Sequence, residues 1–312
     1  MKALVVDLGG THATLAVVED KKIIGTEELS LDRAQGLGSV LPLFVETFRK
    51  LSNRLAIPID SCEGLALSFC GLADSSTGRV LSTNKKYDDA TAIDFPSWCM
   101  RELKLPFKIE NDARMALLGE QFAGAAQGFE DVVMITLGTG IGGAAMMNGK
   151  LVRGKHVQGG CLGGHLPVLF NGRQCTCGAI GCTEAEASGW ALPLIAKEWP
   201  GFAQSRLAKE PEVNFRAVFT LAEQGDAVAK GIRDRCTEVW AAGAVGLVHA
   251  YDPEVIVIGG GVMRSADVII PVVQERVVKY AWTPWGQVKV KAAQLGNHAG
   301  LLGAVPLLSG RS

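Results

Sequence analysis

Three times along this 312-residue chain, a run of β-branched residues passes straight into glycines. The segments are ALVVDLGGT at 3–11, VVMITLGTGIGG at 132–143 and VIVIGGG at 255–261. A further apolar run follows the first two at once, ATLAVV and AAMM, which is the pattern of strand, tight turn and returning strand. One such hairpin alone would be an ordinary turn. Two matched hairpins, each opening one half of the chain, read as an internal duplication.

Between these landmarks helices alternate with strands. Apolar residues recur at helical spacing over 36–56 and stop before Pro58, while GLALSFCG (64–71) reads as a buried strand followed by a turn, LADSSTGRV. FPSWCMREL reads as a helix, FKIEN as a strand and 112–124 as a helix. A helical region covers about 185–250, with Cys236, Val239, Trp240, Gly243 and Leu247 on one face, and HAGLLGAVPLL closes the chain as a small-residue helix. This order predicts an α/β chain of two domains facing across an interdomain cleft. The expected division is a small domain over 1–111, rejoined by a C-terminal helix at 299–312, and a large domain over 112–298.

Hydrophobic residues make up 48% of the chain and charged residues 20%, enough apolar surface for two ordinary cores. The net charge of −1 offers no attraction for nucleic acid or anionic lipid. The start, MKALVVDLGG, meets an aspartate and a glycine pair before a signal-peptide core can form, and no apolar run approaches the roughly 20 residues needed to span a bilayer. A cytoplasmic protein is expected, with no membrane and no nucleic-acid partner.

Three of the eight cysteines, Cys175, Cys177 and Cys182, fall in one window, and His165 precedes them in the spacing H-x9-C-x-C-x4-C. One imidazole and three thiolates make a closed tetrahedral shell, the usual means of holding a structural zinc, with Gly178 and Gly181 allowing the turns between ligands. A buried cysteine cluster or neighbouring disulfides are the alternatives, although Cys175 and Cys177 are poorly placed to bridge each other. The other five cysteines are scattered and read as reduced core residues.

Asp7-Leu8-Gly9-Gly10-Thr11 sets a carboxylate at a strand end beside a turn whose amides are unshielded by side chains. Such a turn can wrap a polyphosphate, with Thr11 donating a hydroxyl and Asp7 facing a magnesium through water. Gly138-Thr139-Gly140-Ile141-Gly142-Gly143 is the equivalent turn of the second half. Gly259-Gly260-Gly261 offers a flat surface for an adenine or ribose. Asn111-Asp112 stands between a strand and a helix, where it could cap the helix or, through Asp112, take a proton from an attacking hydroxyl.

Taken together, Asp-Leu-Gly-Gly-Thr at 7–11, Glu-Asn-Asp-Ala at 110–113, Leu-Gly-Thr-Gly-Ile-Gly-Gly at 137–143, Gly-His at 164–165, Cys-x-Cys-Gly-x-x-Gly-Cys-x-Glu at 175–184 and Asp-Pro-Glu-Val-Ile-Val-Ile-Gly-Gly-Gly at 252–261 resemble the ROK family. That family comprises bacterial repressors and sugar kinases on the actin and hexokinase-like ATPase fold. The resemblance implies Asp112 as catalytic base, both glycine hairpins on ATP phosphates, and zinc on His165, Cys175, Cys177 and Cys182. It implies sugar contacts from Asn84, Asn111, Asp112, His165 and Glu184, with His165 giving one ring nitrogen to metal and one to sugar, and a homodimer. Family repressors carry a helix-turn-helix before the core. This chain starts on the first hairpin strand, so a kinase is expected, with a sugar-sensing regulator or a degenerate sugar- or nucleotide-binding protein as the alternative. Two positions depart from the family pattern. Leu162 stands where many members have a sugar-gripping glutamate, and His12 replaces a longer cationic or amide residue.

Overall fold

The computed structural model describes residues 1–32, 36–83 and 86–312. They form two compact units. The first comprises Met1–Gly128, Asn148–Cys161 and Gln294–Ser312; the second comprises Phe129–Met147 and Leu162–Ala293.

The first unit opens on β1 (Lys2–Leu8), β2 (His12–Glu19) and β3 (Lys22–Ser30), an antiparallel meander with a bulge at Val17/Val18. Helix α1 (Leu41–Leu55) turns Leu41, Phe44, Val45, Phe48 and Leu51 inward. It begins five residues later than the sequence predicts. Gly36 takes φ +73°, and the Leu37 and Gly38 amides donate to the Asp89 carboxylate, so 36–40 is a turn before Pro42 enters the first helical turn.

β4 (Leu65–Phe69) then pairs parallel to β1. The stretch expected as a bare turn forms a small hairpin, β5 (Leu72–Asp74) and β6 (Arg79–Ser82), closed by the Asp74 carboxylate on the Ser76 and Thr77 hydroxyls. Helix α2 (Phe95–Glu102), capped by Asp94, leads to β7 (Phe107–Asn111), parallel to β4, and β7 runs directly into α3 (Asp112–Ala123).

The second unit repeats the plan. β8 (Val132–Leu137) and β9 (Ile141–Met147) form the second glycine hairpin; the short β10 (Lys150–Leu151) that follows in sequence falls within Asn148–Cys161 of the first unit. The region expected as helical holds α4 (Thr183–Ala187), α5 (Leu192–Glu198), α6 (Phe215–Glu223) and the long α7 (Ala227–Tyr251). The predicted apolar face of α7 is buried, with Trp240 donating its indole N–H to the Ala187 carbonyl. Then come β11 (Val255–Gly259), parallel to β8, α8 (Ala266–Tyr280) and β12 (Lys289–Ala292), parallel to β11.

The strand orders are β3-β2-β1-β4-β7 and β10-β9-β8-β11-β12. Third, second, first, fourth and fifth strands of each half occupy the same places, so the duplication read from the glycine turns extends through both sheets.

The C-terminal segment returns to the first unit as α9 (Ala299–Leu302) and α10 (Ala304–Leu308), two short helices in place of the single one predicted. The domain boundary also moves, from 111/112 to 128/129, because α3 belongs with these helices. A methyl on Gly119 would lie 2.0 Å from the Ala299 carbonyl oxygen, and one on Gly303 would lie 2.1 Å from that of Met115. Backbones in such close approach cannot be assigned to separate bodies. At the far end of α3 the buried Glu120 carboxylate accepts the Ala125, Gln294 and Leu295 amides, which ties the returning segment down.

No described helix is long and apolar enough to cross a membrane.

Candidate functional site

In the first unit, the β1–β2 turn is closed by the Gly9 amide donating to the His12 carbonyl at 2.9 Å. Behind it stands Tyr87, buried at 2%, whose hydroxyl donates to the Gly9 carbonyl at 3.1 Å. Thr11 and His12 are exposed at the tip, and the Thr11 hydroxyl meets His12 Nδ1 at 2.8 Å.

Asp7 sits at the end of β1 opposite Ser68 of β4. Burial raises its pKa to about 6 and the nearby Asp112 charge adds to this, against the Ser68 hydroxyl, which lowers it. Helix α9 reaches it through Gly300, where a methyl would stand 3.2 Å from the carboxyl atoms.

Asn111 is the N-cap of α3: its Oδ1 accepts the Ala113 and Arg114 amides, and its Nδ2 donates to the Gly71 carbonyl and to Asp112 Oδ1. Capping is therefore done by Asn111, which leaves Asp112 open on its outer side. The Asp112 carboxylate also accepts the Ala113 amide at 2.8 Å. Surrounding protein holds its pKa above the ordinary carboxylate range, against the helix amides and the Lys86 charge, which pull it down.

Beneath this pair lies a buried ion pair four residues apart, Glu110 of β7 and Arg114 of α3, both 0% exposed. Arg153 makes a second bond to Glu110, and Arg114 donates to the carbonyls of Val152, Val157 and Gly159. The strand-to-helix junction that presents Asp112 is thus anchored from below by fully desolvated charges, which are costly to break.

In the second unit, the β8–β9 turn is closed by the Gly138 amide on the Gly140 carbonyl at 3.0 Å. The Gly189 and Trp190 amides donate to the carbonyls of Gly138 and Thr139. Gly260 takes φ +94°, and a side chain there would meet the Leu137 carbonyl oxygen at 2.2 Å, so the third glycine run lies directly against the second turn. Gly138, Thr139 and Gly261 border a cavity of about 750 Å³, whose other walls include Trp190, Pro193, Phe215, Arg216 and Arg264. These five carry no sequence motif and were missed; Asn214, also on the wall, is visible in sequence only as the α6 cap.

The four expected metal ligands come together. His165 Nδ1, Cys175 Sγ, Cys177 Sγ and Cys182 Sγ all lie within 4.8 Å of one another. Two edges are short: Cys177 Sγ to Cys182 Sγ is 3.7 Å, and His165 Nδ1 to Cys175 Sγ is 3.5 Å. A tetrahedral ion with metal–sulfur bonds of about 2.3 Å and a metal–nitrogen bond of about 2.0 Å needs edges of about 3.8 and 3.5 Å. A disulfide needs about 2.05 Å and is absent from these pairs. Gly178 (φ +94°) and Gly181 (φ +69°) make the intervening turns. His165 turns Nδ1 to the thiols and so keeps Nε2 for another partner.

Glu184, two residues past Cys182, has its carboxylate on protein donors: Oε2 accepts the Ile141 amide at 2.8 Å, and Oε1 accepts Trp190 Nε1 at 3.2 Å and the Thr176 hydroxyl at 3.4 Å. Leu162 caps a short 3-10 turn over Gly163–His165 and is 41% exposed, so it does not pack beneath the loop. Asn84 lies outside the described residues.

Known proteins share this plan. The chain is 32% identical to a glucokinase of Thermotoga maritima, over 100% of this chain and 98% of the relative. It is 30% identical to an N-acetylmannosamine kinase of Yersinia pestis, over 97% of each. The crystal structure of a ROK family glucokinase from Streptomyces griseus in complex with glucose and AMPPNP superposes with a TM-score of 0.76 at 28% identity, covering 98% of this chain and 99% of that one. With residues 3–311 matching the family from the first strand to the last helix, the chain belongs to the ROK family.

Proposed function

We propose that this protein is an ATP-dependent sugar kinase acting on a hydroxyl of a hexose or hexosamine. The observation that carries the reading is Asp112: an exposed carboxylate presented at a helix N-terminus beside the Asn111 cap, with its pKa held above the ordinary carboxylate range by the surrounding protein. Its relatives include glucokinases and N-acetylmannosamine kinases, which bounds the acceptor to that class.

Asp112 takes the proton of the attacking hydroxyl. The sugar oxygen bonds to the γ-phosphorus as the bond from that phosphorus to the bridging oxygen breaks, and ADP leaves. The turns at Gly9, Gly10 and Thr11 and at Gly138, Thr139, Gly140 and Gly142 are assigned to the phosphates through their amides. Gly259, Gly260 and Gly261 and the cavity beside them, lined by Trp190 and Arg264 among others, are assigned to the nucleoside. Asp7 offers the hard oxygen that suits magnesium, which when bound neutralises charge on the transferring group. His165, Cys175, Cys177 and Cys182 suit a structural zinc by ligand type and spacing.

Sugar contacts are assigned to Asn84, Asn111, Asp112, His165 through Nε2, and Glu184 through its remaining acceptor site. A cytoplasmic homodimer completes the reading.

The test is ADP release across a panel of glucose, mannose, galactose, N-acetylglucosamine and N-acetylmannosamine. Turnover on at least one sugar supports the proposal. Sugar binding by calorimetry without turnover on any of them would favour the binding-protein alternative. Leu162 accepts no hydrogen bond, and a facing hydroxyl left without a partner loses about 1–3 kcal/mol. The preferred sugar is therefore expected to carry an N-acyl group or an inverted hydroxyl, and efficient glucose turnover unchanged in Leu162→Ala would remove this residue from sugar selection.

A further inference from the structure

One carboxylate in the second unit connects two features that the kinase reading treats separately. Glu184 is the second residue of α4, and α4 starts directly after the metal ligand Cys182. The same end of α4 is tied beside the ligand His165, since the Thr183 amide and hydroxyl both donate to the Leu166 carbonyl. The metal cluster therefore fixes where α4 begins.

The other end of α4 leads to Gly189 and Trp190, whose amides hold the carbonyls of Gly138 and Thr139 in the second glycine turn. Glu184 adds a direct brace to that turn through the Ile141 amide. Gly140 has no side chain at the point where a methyl would meet Glu184 Oε2 at 2.7 Å, so the turn is shaped around this carboxylate. Its other oxygen takes Trp190, a wall of the nucleoside cavity, and Thr176, which lies between two of the cysteines.

We infer that Glu184 is a positioning residue through which the metal-bound loop sets the second phosphate turn, so that metal occupancy and nucleotide affinity are linked. This rests on the kinase reading for the identity of the nucleotide, and it gives Glu184 a role beyond sugar contact. Linkage is reciprocal: whatever factor zinc adds to nucleotide affinity, nucleotide adds to zinc affinity.

The experiment measures AMPPNP binding by calorimetry, without sugar, in the zinc-loaded protein, the zinc-stripped protein and zinc-loaded Glu184→Gln. A glutamine replaces one of the two carboxylate oxygens with an NH2 donor, so in the same pose either the Ile141 amide on Oε2 or the Trp190 indole on Oε1 loses its acceptor. Both altered proteins are expected to bind AMPPNP about tenfold more weakly, a coupling of ordinary size. AMPPNP should retain zinc against a chelator by the same factor. Hydrogen exchange at the Ile141 amide should quicken in both, while Glu184→Gln keeps its zinc.

AMPPNP affinity and Ile141 exchange both unchanged in zinc-loaded Glu184→Gln would overturn the inference, as would a variant that weakens sugar binding alone. If Glu184→Gln fails to fold, Glu184→Asp keeps the charge but shortens the reach, and the same readings decide. Failure of the zinc-loaded protein to bind AMPPNP would count against the kinase reading, and the Ile141 exchange comparison would still judge the link between cluster and turn.

Discussion

The two sheets share one strand order, yet their glycine turns are supported in different ways. In the first unit the turn is held by the buried Tyr87 phenol donating to the Gly9 carbonyl and by the Leu31 amide donating to the Thr11 carbonyl. In the second the turn is braced by the Ile141–Glu184 bond, by two backbone bonds from Gly189 and Trp190, and by the Gly260 backbone pressed against Leu137. The fifth strands diverge further: β7 delivers Asn111 and Asp112 to a helix N-terminus, whereas β12 ends at Ala292 and is followed by Ala293. Duplicated backbones need only preserve the sheet, so one copy could acquire the Asn111–Asp112 junction while the other acquired the His165–Cys182 cluster and the cavity beside Trp190.

The largest expected effect tests the copy with the acid. Asp112→Asn should lower kcat by about 10²- to 10⁴-fold while AMPPNP affinity persists. Because the base must be ionised and its pKa is raised, kcat/KM of the unaltered protein should fall on the acid side at a pH above the ordinary carboxylate value of about 3.9, and the surviving activity of the variant should lack that limb. Near-normal turnover would reduce Asp112 to an accessory of the cap.

Next comes the copy with the cluster. The native protein should contain one zinc per chain, and Cys177→Ser should lose it, together with order in His165 and Glu184 and about 10- to 100-fold in sugar affinity. Metal analysis of the native protein that finds none ends the idea.

Asp7 offers a test with a sign. Burial raises its folded pKa to about 6, above the ordinary aspartate value of 3.8, so its contribution to stability is fully present below about 3.8 and is lost as pH rises through about 6. Asp7→Asn should therefore raise the unfolding free energy at pH 7.5, by at most about 3 kcal/mol from a shift of about two units, with the gain gone at pH 4. Urea melts at the two pH values read it. The same variant should lose activity if Asp7 faces the magnesium, and a stabilised variant with full activity would leave the carboxylate without a task.

The smallest effect concerns the first turn's support. Tyr87→Phe removes one hydrogen bond, about 0.5–1.5 kcal/mol, and should raise KM for ATP about 2- to 10-fold with kcat little changed. An equal effect on both parameters would place Tyr87 closer to the chemistry than its contact with Gly9 suggests.

Much of the site could be read before the fold was known because it is local in sequence. The glycine turns, the Cys175–Cys182 window and Asn111–Asp112 each carry their meaning within about ten residues, and the second turn already implied a second sheet. What stayed hidden is assembled from distant segments. Trp190, Phe215 and Arg264 meet at one cavity without any shared period or motif. Tyr87 finds Gly9 from 78 positions away. The boundary at 128/129 was missed because it depends on Gly119 and Gly303 letting helices touch, and a glycine inside a helical pattern gives no hint of what approaches it. The buried Glu110–Arg114 pair was not visible either, since an i,i+4 spacing says nothing of burial.

Next to Leu162 the backbone leaves almost no freedom. A methyl on Gly164 would fall 1.9 Å from the Ile141 carbonyl oxygen, and one on Gly143 would fall 2.7 Å from Gly163. In a saturation library across 161–165, variants at Gly164 should vanish from the folded pool, while Leu162, partly exposed and with an unstrained φ of −102°, should accept most residues. On the proposed placing of Leu162 against the acceptor sugar, selection for a different sugar meets a rigid frame with a replaceable side chain at 162, and acceptor preference would drift by single substitutions there without passing through an unfolded intermediate.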